Sequence, residues 1–125
     1  MNSDTLLLRQ INPEWVKNDR VTSQAFTPTP KDKDKLSTYD GDQITPRQSW
    51  IHFTTNLGNQ SVGVMAVTVR ECEENETSAI SDPVPFPEHV LIDYSRLTRS
   101  KAKKVGKALT SLARQRDWLH RAKSR

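Results

Sequence analysis

Apolar residues occur in short runs along the chain, separated by polar and proline-containing stretches. Residues 5–11 and 61–69 are rich in Leu, Ile and Val, and their lengths are typical of buried strands. The second run is apolar on both faces, so we expect it to lie centrally in a sheet. Residues 36–39 and 89–94 predict two more strands, and the alternation over residues 20–26 predicts another.

The start and stop residues of a middle helix are recognisable in the sequence. Thr45 can cap exposed N–H groups, and Pro46 suits the first turn of a helix. The helix is expected to reach Leu57, because Gly58 can adopt the left-handed conformation that ends many helices. Residues 70–76 predict a further short helix or turn.

The order of these elements predicts an α+β fold. A chain of 125 residues fits a single small domain, residues 1–125. We expect a mixed β-sheet of about five strands, with the middle helix and a long C-terminal amphipathic helix packed on it. That last helix is predicted over residues 96–125, after a cap at Ser95 or Thr98.

The cellular compartment is inferred from what the sequence lacks. The longest apolar run is well short of the roughly 20 residues that cross a bilayer. Residues 1–4 do not have the basic start and apolar centre of a signal peptide. Cys72 is the only cysteine, so no intramolecular disulfide can form. We therefore expect a cytoplasmic protein without membrane contact.

Positive charge is concentrated at the C-terminal end of the chain. Residues 96–125 contain eleven Lys or Arg and one acid, Asp117, a segment charge of +10. Residues 1–95 contain eight bases and fourteen acids, a charge of −6, and the two parts sum to the net charge of +4. Such an asymmetry bears on binding partners more than on fold.

On a helical wheel the predicted C-terminal helix has two distinct faces. One sector is apolar and is expected to dock on the sheet: Ala102, Val105, Ala108, Leu109, Leu112 and Leu119. The opposite sector carries cations, with Thr110 between them: Lys103, Lys107, Arg114 and Arg121. A row of cations on one edge of a helix is spaced to follow a phosphate backbone, and such binding depends on salt.

Three interpretations of this cationic edge stay open. It can be a solvated face that favours solubility and complements the helix dipole. It can bind nucleic-acid phosphates, without base recognition. It can also dock on an acidic protein surface, or on this chain's own acidic cluster between Glu71 and Glu76.

Arg9 stands inside an otherwise apolar predicted strand, where a buried guanidinium needs a partner. One interpretation is structural, with Asp93 or Glu71 as the pairing carboxylate. The other makes Arg9 the floor of a candidate anion site, with Ser37 and Thr38 on a neighbouring strand. That layout resembles the ADP-ribosyltransferase family, in which Arg holds a dinucleotide and a later Glu drives the chemistry. The resemblance implies Glu71 or Glu73 for that second role, although neither lies in the motif of the family.

The histidines give one candidate polar pair and no metal site. His89 opens a predicted strand and Asp93 follows four residues later, which places both side chains on one face. A hydrogen-bonded structural histidine is preferred here over a general base. His52 and His120 have no partners at the spacing of zinc ligands, and Cys72 stands alone. The sequence predicts no metal, no cofactor and no catalytic residue.

Three stretches carry a resemblance to other proteins. They are a strand followed by Pro13 and Trp15, the segment Ser-x-Ala-Phe at residues 23–26, and the segment Asp-Pro-x-Pro…His at residues 82–89. Together they resemble a group of small bacterial proteins with no established activity. The resemblance covers most of the first 95 residues and implies a bacterial origin. It also suggests an accessory role in a mobile-element or defence-related system.

The sequence thus favours a non-enzymatic accessory protein. Its basic helix is expected to bind nucleic-acid phosphates, and its acidic body a protein partner. Two alternatives stay open: an ADP-ribosyltransferase-like enzyme or toxin, and a pure protein–protein interaction subunit. The oligomeric state is not predicted.

Overall fold

The computed structural model describes residues 1–123, which are organised around a six-stranded sheet. The strands are β1 Leu6–Gln10, β2 Val16–Lys17, β3 Arg20–Val21, β4 Lys35–Asp40, β5 Gly63–Thr68, β6 Ser78–Ser81, β7 His89–Asp93 and β8 His120–Arg121. Across the sheet the order is β6-β7-β4-β1-β5-β8, and each neighbouring pair is antiparallel. Strands β2 and β3 form a separate small hairpin.

Three α-helices accompany the sheet: α1 Pro46–Ile51, α2 Val69–Glu74 and α3 Arg99–Arg116. Thr45 and Pro46 begin α1 as predicted, and the helix continues as a π-turn over His52–Asn56 before Gly58, whose φ is 72°. Thr98, one of the two predicted caps, accepts the Lys101 N–H at the start of α3. The α+β class is confirmed.

Alternating residues of the central strands feed two cores, one on each face of the sheet. The larger core lies under α3 and includes Leu7, Leu36, Met65, Val67, Val90, Ile92, Val105 and Leu109. The smaller core lies under α1 and includes Leu8, Tyr39, Val64, Ala66, Trp50 and Phe53. Strand β5 contributes to both cores, in agreement with its apolar sequence.

Two elements differ from the sequence-based expectations. The predicted strand at residues 20–26 is wrong beyond Arg20–Val21, because a 3-10 turn follows over Ser23–Phe26. This turn buries Ala25 and Phe26 together, whereas a strand would have sent them to opposite faces. Strand β6 was not predicted, since its sequence SAIS is short, mostly polar and lies at the sheet edge.

The C-terminal helix is shorter than predicted. It ends at Arg116, and Asp117 turns the chain with a φ of 74°. The chain then runs back along β5 as β8, and Leu119 packs on the α1 face of the sheet instead of the α3 face. The last two residues of the predicted helix, 124 and 125, lie outside the described residues.

An ion pair ties the end of α3 to the start of α2. The Arg116 guanidinium donates to both carboxylate oxygens of Glu71 at 3.0 Å and to the Ala66 carbonyl at 2.9 Å. Glu71 also accepts the Thr68 N–H at 2.8 Å as part of a capping box. Burial alone would raise the pKa of Glu71, but the bonds from Arg116 and Thr68 outweigh it and hold the pKa below its usual value.

We expect Glu71→Gln to destabilise the fold by about 2 kcal/mol at pH 7, because charge-assisted hydrogen bonds are lost while the amide still fits the capping box. A carboxylate with a lowered folded-state pKa contributes stability above its unfolded pKa. That contribution is lost as the pH falls through the folded value. Urea unfolding of the two proteins should therefore differ at pH 7, and the difference should disappear as the pH falls through the lowered pKa of Glu71.

The matched control is Glu74→Gln, on the same helix but exposed. It should change the unfolding free energy by less than about 0.5 kcal/mol at either pH. Equal effects of the two substitutions at pH 7 would contradict the role assigned to the Arg116–Glu71 pair.

Candidate functional site

The sheet splits between β1 and β4. These strands are paired only at Leu7–Asp40 and Leu8–Tyr39. Beyond those pairs β1 continues beside β5, and β4 continues beside β7. The divergence opens a pocket of about 700 Å³, lined from both strands and from the loops that follow them.

Arg9 bridges this gap from the β1 side. Its Nη1 donates to the Ser37 carbonyl at 2.9 Å, and its Nε donates to the Ala25 carbonyl at 2.8 Å. Its guanidinium lies 4.9 Å from the ring centre of Trp15. The Ser37 carbonyl belongs to the part of β4 that has no β1 partner, so the guanidinium takes the place of a ladder N–H.

The structure brings together two of the three residues predicted as an anion site. Arg9 and Ser37 are in direct contact and line the pocket. Thr38 also lines it, but its hydroxyl donates to the Val90 carbonyl at 2.8 Å in the buried part of the sheet. The Thr38 hydroxyl is therefore used between β4 and β7 and does not donate into the pocket.

Arg9 has no ion-pair partner among residues 1–123. The two carboxylates suggested from the sequence are engaged elsewhere, Glu71 with Arg116 and Asp93 with the Ser95 N–H at 2.9 Å. Burial lowers the pKa of Arg9 to about 10, and the nearby Asp32 and Tyr94 partly oppose this shift. The half-buried guanidinium is thus held by carbonyl oxygens and an aromatic ring, without a neutralising carboxylate in contact.

His89 connects Ser37 to an acid that sequence reasoning missed. The Ser37 Oγ lies 3.0 Å from His89 Nε2, and His89 Nδ1 lies 3.1 Å from Asp82 Oδ2 and 3.0 Å from the Asp82 carbonyl. The predicted pairing of His89 with Asp93 is therefore replaced by one with Asp82. Although residues 89 and 93 share a face of β7, they are four strand positions apart, too far for contact.

The contacts of the imidazole assign its tautomer. Both partners of His89 Nδ1 are acceptors, which places a proton on Nδ1. In the neutral imidazole, Nε2 is then the acceptor for the Ser37 hydroxyl. His89 is 6% exposed, whereas Ser37 is exposed and lines the pocket. A buried, oriented base thus faces an accessible hydroxyl.

Backbone hydrogen bonds of the loop between β6 and β7 hold Asp82 next to His89. The Asp82 N–H donates to the His89 carbonyl at 2.9 Å, and the His89 N–H donates to the Phe86 carbonyl at 3.1 Å. Three prolines at positions 83, 85 and 87 restrict the backbone of this loop. Asp82 and His89 bracket the proline-rich motif, but their seven-residue separation gives no periodic signal of contact.

Aromatic rings form one wall of the pocket. Phe86 packs on Tyr39 with ring centres 4.8 Å apart and on His89 at 5.0 Å. The Tyr39 hydroxyl lies 2.7 Å from His52 Nδ1. Burial, together with the charge of Glu88, raises the pKa of Tyr39, so the phenol stays protonated. The Phe86 and Tyr39 rings give this wall an apolar surface that suits the apolar part of a small molecule.

The predicted cationic edge is only half formed. Lys103 and Lys107 are exposed on α3 as expected. Arg114 instead donates to the Val21 carbonyl at 3.1 Å, and Arg121 lies on β8, paired with Asp19 at 2.9 Å. The edge is broken because the neighbouring helix position, Thr110, is buried rather than solvated.

A close approach explains why that side of α3 is covered. The 3-10 turn over Ser23–Phe26 packs against the helix at Gly106. A Cβ at Gly106 would lie 1.9 Å from Thr27 Oγ1 and 3.1 Å from the Phe26 carbonyl oxygen. Only glycine permits this contact.

Comparisons with protein-family models, with curated proteins and with solved structures gave no match to this chain. Among the described residues, no group of three or more His, Cys, Asp or Glu side chains is placed to hold a metal ion. None of the helices in residues 1–123 is long and apolar enough to span a bilayer.

Proposed function

We propose that the protein is an acyl-transfer enzyme of the serine hydrolase type. The observation that carries the proposal is the chain of hydrogen bonds from Ser37 Oγ through His89 to Asp82 at the wall of the pocket. Nucleophile, base and orienting acid are recognised by geometry and role rather than by sequence position. The absence of a Gly-x-Ser-x-Gly motif from the sequence is therefore compatible with this activity.

In the proposed reaction, Ser37 Oγ attacks the carbonyl carbon of a bound ester, and His89 Nε2 accepts the hydroxyl proton. Asp82 stabilises the imidazolium through Nδ1–H. As the tetrahedral intermediate collapses, the alcohol leaves with the proton from His89. Water, deprotonated by His89, then releases the acid from the acyl-serine, and the serine regains its proton.

The backbone beside Ser37 can stabilise the oxyanion. In an antiparallel ladder the N–H and C=O of one residue face the same neighbouring strand. The Ser37 carbonyl faces the gap, where Arg9 reaches it, so the Ser37 N–H also faces the gap. The nucleophile's own N–H is one of the donors that serine proteases use for this purpose.

A fluorophosphonate probe tests the proposal directly, because it phosphonylates an activated serine and releases fluoride. We expect labelling of one serine, identified as Ser37 by peptide mass spectrometry. Ser37→Ala should abolish the label, and His89→Gln should slow it by about 10²-fold. Hydrolysis of para-nitrophenyl butyrate should follow the same order.

Ser81→Ala is the matched control, since this exposed serine lies on β6 of the same sheet and outside the pocket. It should leave labelling and hydrolysis unchanged. No labelling of folded wild-type protein, or equal labelling of Ser37 and Ser81, would exclude the proposed activity.

A second proposal keeps the phosphate-binding role expected for the basic helix, in a changed form. Arg99, Lys103 and Lys107 are exposed at successive four-residue intervals of α3 and form no ion pair within residues 1–123. Residues at this spacing share a helix face. These three cations therefore replace the predicted set of four as candidate contacts to nucleic-acid phosphates. The protein partner expected for the acidic part of the chain stays a prediction.

The double variant Lys103→Glu and Lys107→Glu is expected to weaken binding to a generic DNA duplex at least about tenfold at low salt. It should also reduce the slope of log affinity against log salt by about 2. Fluorescence anisotropy across a salt series measures both quantities.

The control is the double variant Arg121→Glu and Lys123→Glu, which makes the same change in net charge away from α3. A much smaller loss is expected for it. Equal losses for the two doubles, or no binding by the wild type at low salt, would contradict a specific contact through α3.

The ADP-ribosyltransferase-like alternative finds less support. Arg9 does open to a pocket, but the carboxylate among the lining residues is Asp32, and no glutamate is among them. Glu71 is paired with Arg116, Glu73 is exposed on α2, and neither lines the pocket.

A further inference from the structure

We propose that the free edge of Arg9 binds a single carboxylate of the substrate, so that the pocket selects short acyl groups that carry a terminal carboxylate. The inference rests on the proposed acyl-transfer activity and adds the substrate class. It starts from Arg9, a cation at the pocket wall that the catalytic chain of Ser37, His89 and Asp82 leaves unused.

The guanidinium of Arg9 has hydrogen-bonding capacity to spare. Of its five N–H groups, one on Nε reaches Ala25 and one on Nη1 reaches Ser37. Within residues 1–123 the Nη2 nitrogen donates to no protein atom, and it is not fully buried. Nη2 is therefore accessible from the pocket, where a carboxylate can accept a charge-assisted hydrogen bond from it.

Charge favours an anion at this position. A half-buried guanidinium without a carboxylate in contact retains part of its desolvation cost. The same desolvation of the guanidinium also lowers the pKa of Arg9. An incoming carboxylate would offset it, and a neutral group would not.

Asp32 limits the charge that the site accepts. It is the carboxylate that lines the pocket near Arg9, and its Oδ2 accepts the Thr29 N–H at 2.6 Å. With one cation and one anion at the pocket wall, a monoanion is tolerated better than a doubly charged phosphate. The structure therefore favours a carboxylate over a phosphate.

The position of Arg9 also limits the length of the acyl group. Its Nη1 contacts the carbonyl of Ser37, the residue that carries the nucleophile. Arg9 and Ser37 therefore border the same gap between β1 and β4, and we expect a short acyl group to reach from the guanidinium to the Ser37 hydroxyl. Succinyl-type hemiesters satisfy this requirement.

Binding is tested apart from catalysis with two stable amides, succinamate, which has one carboxylate, and butyramide, which has none. In an NMR titration we expect succinamate to shift the Arg9 Nε–H and Trp15 indole N–H resonances to saturation. Butyramide should shift neither. Arg9→Gln, checked for folding by the same spectra, should remove the response.

Asp32→Asn provides a variant that leaves the guanidinium in place. It removes the opposing charge, while the amide oxygen can still accept from Thr29, so succinamate should bind several-fold more tightly. Asp34→Asn, on the same loop but outside the pocket lining, should have no effect. Equal responses to the two amides, or equal effects of the two asparagine variants, would overturn the inference.

The kinetic arm separates this inference from the proposed activity. We expect the kcat/KM for para-nitrophenyl hemisuccinate to exceed that for para-nitrophenyl butyrate about tenfold, and Asp32→Asn to widen the ratio. Fluorophosphonate labelling of Ser37 with no preference for the hemisuccinate would reject the carboxylate subsite alone. Succinamate binding without labelling would reject the hydrolase while leaving Arg9 as an anion-binding residue.

Discussion

The β1–β4 ladder stops after two residue pairs, and the rest of the site depends on that early stop. Strands that diverge inside a sheet leave backbone groups that must find other partners. Arg9 supplies one of these partners to the Ser37 carbonyl, and in doing so brings a cation to the middle of the sheet. The opened space becomes the pocket, and it exposes the side of β4 on which the Ser37 hydroxyl meets His89.

Local signals in the sequence were sufficient to predict the strands and helices that bury apolar residues. The β5 run, the Thr45–Pro46 helix start and the Thr98 cap all lie where composition placed them. The strand prediction for residues 20–26 was wrong because the alternation there is short. The buried residues Ala25 and Phe26 are stabilised by packing against α3 rather than by strand pairing. Packing of this kind depends on a partner more than seventy residues away in sequence.

The site was predictable in part. An Arg in an apolar strand signals an unusual environment, and Arg9 with Ser37 was indeed brought together. The role of Asp82 was not predictable, because it depends on a proline-rich loop that folds its first residue back on His89. The prediction of the cationic edge was wrong in part for a related reason. Helical periodicity places Arg114 on the correct side of α3, but it does not reveal that a neighbouring turn covers that side.

The most direct test of this account is the tautomer of His89, because the proposed role of Ser37 requires an unprotonated Nε2. Histidine-specific ¹⁵N labelling and two-dimensional NMR at a pH where the imidazole is neutral distinguish the two ring nitrogens, with His89→Gln for assignment. The account predicts a proton on Nδ1 and none on Nε2, and loss of this preference in Asp82→Ala. A neutral His89 with its proton on Nε2 in the wild-type protein would contradict it.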